Sequence, residues 1–150
     1  MKQSEFRLKL FGEGGQGIKW MGHILSSILE SLGKKISIIL TYDSAVRGGD
    51  TAAQIVISDG KIGCPIVEEP DFDLNLKEGF FVSKNGERLK INDIFLEKKS
   101  LGKNIQLNTF SIGFLLKKLG VDLNSIDLKK HLPNFMLEEN IESIKIGFSS

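Results

Sequence analysis

The chain has 150 residues, 41% hydrophobic and 26% charged, with 20 Lys and Arg against 19 Asp and Glu for a net charge of +1. That length predicts one domain, 1–150, able to bury about 68–70% of its unfolded surface, and the balanced charge leaves no footprint for nucleic acid or an acidic membrane. The lone Cys64 can form no internal disulfide and cannot hold an iron–sulfur cluster; with no basic-then-apolar leader and no long apolar run in view, a reducing cytoplasm is the expected location.

Residues 6–11 alternate Phe6, Leu8 and Leu10 with Arg7 and Lys9, as a strand does, and Phe11 runs into Gly12-Glu13-Gly14-Gly15-Gln16-Gly17. A helix is predicted over 18–32, where Met21, Ile24, Leu25, Ile28, Leu29 and Leu32 recur at helical spacing before the stop at Gly33. The isoleucine-rich run 36–42 suits a buried second strand, so the opening reads as a strand, glycine loop, helix and strand. The connection to the next β-branched run, 51–58, is too short for a helical crossover, which excludes a parallel neighbour at that step. Asp59-Gly60 predicts a hairpin with its return at Lys61 and Ile62, and Asn85-Gly86 predicts another between 80–82 and 89–91. Further helices are predicted over 93–101 with Asp93 as cap, from Asn108 or Thr109 through Leu119, over 125–132 and over 137–148. The expected fold is α/β: one three-layer-like domain with a mixed sheet, a Gly-rich strand-to-helix loop and a helical C-terminal half.

The chemistry-bearing features are few. A glycine loop opening a helix bares backbone N–H groups that suit an anion or a neighbouring chain's carbonyls, and the same glycines also serve plain packing. The tract Tyr42-Asp43-Ser44-Ala45-Val46-Arg47-Gly48-Gly49-Asp50 adds a permanent cation beside flexible backbone just past a strand end. His23 and His131 read as core-edge or surface residues, with no second ligand at metal spacing, and the pairs Lys34-Lys35, Lys98-Lys99, Lys117-Lys118 and Lys129-Lys130 read as solvated cations, mostly late in helices. Neither a catalytic residue nor a metal site is assigned.

Together these segments resemble the gamma subunit, or gamma domain, of the 2-oxoacid:ferredoxin (acceptor) oxidoreductases, which act on pyruvate, 2-oxoglutarate, branched-chain 2-oxoacids or indolepyruvate. The resemblance is carried, in order, by the glycine loop, Arg47-Gly48-Gly49, the run Ile55-Val56-Ile57-Ser58-Asp59 with Ile62, Pro70-Asp71, Asn108-Thr109-Phe110-Ser111-Ile112-Gly113, and Asn140 through Gly147-Phe148. Between Pro70-Asp71 and Lys77-Glu78-Gly79 the family has a longer strand and helix, where this chain keeps only 72–76. The loop before Arg47 also lacks the family's frequent proline and glutamate.

The resemblance implies a cytoplasmic, heteromeric complex that decarboxylates a 2-oxoacid oxidatively to acyl-CoA. Thiamine diphosphate and 4Fe-4S clusters reside in alpha, beta and, where present, delta partners; ferredoxin or another acceptor takes the electrons, and coenzyme A is co-substrate. This chain is then structural, firmly binding no cofactor, with Gly12, Gly14, Gly15, Gln16, Gly17, Arg47, Gly48 and Gly49 as its candidates for contact with coenzyme A or a partner. Two rivals stay open. One is a free-standing dinucleotide-binding oxidoreductase with Asp43 gripping a ribose; the other is a non-catalytic assembly or regulatory relative of the gamma subunit.

Overall fold

The computed structural model describes residues 5–42 and 49–150. Its contacts divide the chain into two compact units, Met1–Lys90 and Ile91–Ser150.

The first unit is built on a six-stranded mixed sheet. Its strands are β1 (Glu5–Glu13), β2 (Lys35–Tyr42), β3 (Asp50–Ser58), β4 (Phe72–Asn75), β5 (Phe80–Ser83) and β6 (Arg88–Leu89), in the spatial order β2-β3-β1-β4-β5-β6. β3 runs antiparallel to both β1 and β2, while β1 and β4 are parallel. The expected antiparallel step from β2 to β3 is therefore present.

One face of this sheet is apolar because strand side chains alternate and the register aligns like with like. Leu8 stands opposite Ile55, Leu10 lies between Ala53 and Leu74, and Leu74 lies opposite Phe81. All six are fully buried. Helix α1 (Ile18–Ser31) lies against β1, β2 and β3 and buries Met21, Leu25, Ile28 and Leu29 at helical spacing. It ends where Gly33, with φ +87°, and Lys34 donate N–H bonds back to the carbonyls of Glu30 and Leu29.

The Asp59-Gly60 hairpin does not form: β3 already has hydrogen-bonded neighbours on both sides, so no edge is free for a return strand. Residues 59–71 instead run from the end of β3 to the start of β4. They are pinned where the Val67 N–H donates to Gln54 Oε1 (2.8 Å) and Arg7 Nη1 donates to the Ile66 carbonyl (2.8 Å). Asp71 then fixes β4 beside β1: its carboxylate accepts from the Arg7 N–H (2.8 Å), and its own N–H donates to the Arg7 carbonyl (2.7 Å). β4 is a strand absent from the sequence reading; the shortened segment 72–76 supplies it and closes onto β5 through a turn. The Asn85-Gly86 hairpin joins β5 and β6 as expected, with Gly86 at φ +99°.

The second unit contains α2 (Ile91–Ser100), α3 (Leu107–Lys118) and α4 (Leu137–Phe148). α2 starts two residues before Asp93, so that carboxylate complements the first turn rather than capping it. The N-cap of α3 is Gln106, not Asn108 or Thr109, and the Gln106 N–H is taken by the buried Ser143 hydroxyl of α4 (2.8 Å). The helix predicted over 125–132 is replaced by two single 3-10 turns, Leu123–Ser125 and Leu128–Lys130, with Ile126 extended between them. Asp122 starts the first turn by accepting from the Asn124 N–H (3.0 Å).

α3 and α4 meet at backbone distance. A Cβ built on Gly113 would overlap the carbonyl of Ile144, and one on Gly147 would overlap the carbonyl of Phe110, so each helix seats a glycine against the other's main chain. Thr109 Oγ1 donates to Asn140 Oδ1 across the same contact (3.2 Å). The expected α4 boundaries are those observed.

Candidate functional site

The glycine loop sits at one end of the sheet, where β1 gives way to α1. Gly17, at φ +78°, is the N-cap of α1 and offers no side chain to its first turn. Gly15, at φ +92°, is exposed, and a Cβ there would meet no described residue within 4 Å. These two positions need glycine for conformation.

Gln16 fills the inside of the turn. Its Oε1 accepts from the Glu13 N–H (2.7 Å), its Nε2 donates to the Leu76 carbonyl (3.1 Å), and its own N–H donates to the Glu13 carbonyl (3.1 Å). Gly12 leaves room for this plug, since a Cβ there would lie 2.7 Å from Gln16 Oε1 and 2.8 Å from Ile18 Cδ1. A further amide is consumed by the neighbouring tract: the Gly14 N–H donates to the Gly49 carbonyl (2.9 Å). The two glycine tracts singled out in the sequence are thus joined directly, because the β1–β3 register ends with Glu13 opposite Asp50. Arg47 and Gly48, like Asp43, lie outside the described residues.

Around the turn stand charged groups that the sequence reading did not select. Lys77 Nζ donates to Asp50 Oδ2 (3.0 Å), tying the end of β4 to the start of β3. The Asp50 bond and charge hold the Lys77 ammonium above its ordinary pKa, and Glu13 and Glu78 add to the effect. The signal for Lys77 was its place in Lys77-Glu78-Gly79, directly after the Leu76 carbonyl that Gln16 reaches. Among the described residues, the carboxylates of Glu13, Asp50 and Glu78 thus stand near Lys77, which is already engaged.

That arrangement limits what the turn can do. The amides of Glu13, Gly14 and Gln16 have partners within the chain, and what remains for an outside group is the exposed Gly15 and the uncapped first turn of α1. The geometry of a dinucleotide fingerprint is absent as well. In that fingerprint the second strand neighbours the first, whereas β3 here lies between β1 and β2. His23 is exposed on α1, and among the described residues no three His, Cys, Asp or Glu side chains group as metal ligands. No helix among the described residues is long and apolar enough to cross a membrane.

Residues 7–100 match the family model described as pyruvate ferredoxin/flavodoxin oxidoreductase. The chain is 25% identical to the 2-oxoglutarate synthase subunit KorC of Archaeoglobus fulgidus over 96% of its own length and 87% of that protein. A shorter match, 39% identical, joins 45% of the chain to 14% of the ketoisovalerate oxidoreductase subunit VorA of Methanothermobacter thermautotrophicus. Among solved structures, 99% of the chain superposes with a TM-score of 0.69 and 20% identity on 97% of the pyruvate oxidoreductase subunit PORC of Thermotoga maritima. It also superposes over 99% of its length on the 2-oxoglutarate:ferredoxin oxidoreductase of Magnetococcus marinus, with a TM-score of 0.72 and 18% identity, spanning 31% of that chain. The mixed sheet with a helical C-terminal half is thus the fold of these solved relatives, and the chain belongs to the pyruvate ferredoxin/flavodoxin oxidoreductase family.

Proposed function

We propose that this chain is the gamma subunit of a 2-oxoacid:acceptor oxidoreductase and that it works by contact, holding a turn of main chain against the alpha and beta subunits that carry the chemistry. The family match over 7–100 is the observation that carries this reading. The relatives bear the names of 2-oxoglutarate, ketoisovalerate and pyruvate enzymes, so a 2-oxoacid is the substrate class they share. Thiamine diphosphate and 4Fe-4S clusters then belong to the partners, a delta subunit included where there is one, and ferredoxin or a similar acceptor receives the electrons in the cytoplasm. The Magnetococcus enzyme is described with 2-oxoglutarate, coenzyme A and succinyl-CoA bound, which supports coenzyme A as the co-substrate of the assembly.

Gly12, Gly14, Gly15, Gln16, Gly17, Arg47, Gly48 and Gly49 form the proposed contact region. Of its two possible occupants, a partner's main chain fits better than a coenzyme A phosphate. A helix N-terminus favours an anion by only about 0.3–1 kcal/mol when exposed, and among the described residues Glu13, Asp50 and Glu78 oppose one here. A partner's carbonyl oxygens carry no net charge and can still accept from the free amides.

Gly15→Asn tests the contact. Asparagine is among the side chains best suited to positive φ, and no described residue lies within 4 Å of the added Cβ, so the isolated variant is expected to fold with a modest loss of stability. Co-expressed with its partners, it is expected to lose co-purification and coenzyme A-dependent oxidation of the 2-oxoacid. A variant that assembles and turns over as the parent does would refute the contact role of the loop.

A further inference from the structure

Where α2 ends and α4 ends, the second unit forms a concavity of about 330 Å³ lined by Lys98, Leu101, Lys103, Lys145, Ile146 and Ser149. Three lysines and two aliphatic residues contribute to this mostly apolar lining, and no carboxylate residue is among those that form it. None of the three has an ion-pair partner among the described residues. Leu101 is 70% exposed at the rim, set there as α2 stops: its N–H returns to the Lys98 carbonyl (3.2 Å), and Gly102 turns the chain away with φ +83°.

Lysines near a helix C-terminus are ordinary, because they complement the dipole. Lys98 in the last turn of α2 and Lys145 in that of α4 fit that account, and Lys103, in the loop after α2, does not. Convergence of all three on one apolar hollow concentrates like charge, and an exposed leucine and Ile146 give an aliphatic side chain a surface to cover. An occupant that complements both features has carboxylates on its flanks and an aliphatic group at its centre. Lysine ammoniums are separate point charges, suited to spaced carboxylates along a chain rather than to a single planar anion.

We propose that this pocket binds an acidic peptide segment of a partner protein, with one aliphatic side chain seated over Leu101 and Ile146 and flanking carboxylates on Lys98, Lys103 and Lys145. The pocket shares no residue with the glycine loop, so the proposal stands whether or not that loop contacts a partner.

The test uses the full chain and a fluorescein-labelled peptide with one leucine between two pairs of glutamates, followed by fluorescence polarisation at low salt. Binding is expected, and the combined Lys98→Ser, Lys103→Ser and Lys145→Ser variant is expected to weaken it about tenfold or more. Leu101→Ser is expected to weaken it as well, and so are peptides with alanine for the leucine or glutamines for the glutamates. The peptide comparisons are made on the unaltered chain, so they decide the matter even where a variant fails to fold. No binding, equal binding of the alanine peptide, or undiminished affinity in a folded triple variant would overturn the proposal. Displacement of the peptide by octanoate or inorganic phosphate at concentrations below that of competing unlabelled peptide would overturn it in favour of a small-anion site.

Discussion

Gly22, Gly113 and Gly147 all sit inside helices, yet alanine at each meets a different neighbourhood. At Gly22 the new methyl would lie 3.8 Å from Ala53 Cβ and from Ile55 Cδ1, an ordinary contact. Gly22→Ala is therefore expected to raise stability by roughly 0.5–1 kcal/mol through helix propensity alone. At Gly113 and Gly147 the methyl overlaps the facing helix's carbonyl, and main chain cannot swing aside as a side chain can. Gly113→Ala and Gly147→Ala are expected to lower stability by about 1–3 kcal/mol or more. Urea denaturation of the three variants checks the signs, and stabilisation of either α3 or α4 variant would contradict the close crossing. Helix periodicity alone does not tell the three glycines apart; the facing main chain does. Gln16 was similarly half-legible. Its place in the turn could be read, but its role as the plug depends on Leu76, which β4 brings alongside from sixty residues away.

Strand β4 illustrates the same limit at the level of the element. Its four residues alternate Phe72 and Leu74 with Asp73 and Asn75, a signal too short to stand out, and it exists because β1 has a free side on which Asp71 can start the pairing. Burial pushes the Asp73 carboxyl above its ordinary pKa, and Lys9, its register neighbour on β1, draws it back only in part. The folded state then holds the proton more tightly than the unfolded chain, so this group's contribution to stability falls as pH rises from the unfolded pKa through the folded one. Asp73→Asn is accordingly expected to raise the melting temperature at neutral pH and to have little effect below the unfolded pKa of an aspartate; thermal melts across that range check it. A gain that persists undiminished at acid pH would place the effect elsewhere. Elements with strong periodicity or strong turn chemistry were legible: β1 and α1 around the glycine loop, the Asn85-Gly86 hairpin and α4, while β2 was legible as a strand but not as the buried one expected, since it is an edge strand whose described residues are half-buried or exposed. The Asp59-Gly60 hairpin and the helix over 125–132 failed because local signals say nothing about whether a sheet edge is vacant or whether a turn is continued.

For the molecule as a whole, the proposed role puts selection of the 2-oxoacid in other chains. Replacing this chain in its assembled enzyme by the Archaeoglobus subunit is expected, wherever the hybrid assembles, to leave the ranking of pyruvate, 2-oxoglutarate and ketoisovalerate unaltered. Steady-state assays with the three acids check this, and a ranking that follows the replaced chain would reverse the assignment. The family and the position of its glycine loop could be read from the sequence because they rest on ordered motifs, whereas the ion pair beside the loop could not, since Asp50 and Lys77 meet only across β3, β1 and β4. The strand order has a consequence for synthesis too. β1 pairs only with β3 and β4, and β2 only with β3, so a nascent chain leaving the ribosome carries two unsatisfied apolar strands until Asp50–Ser58 has emerged between them. The middle of the gene thus governs when its beginning can fold.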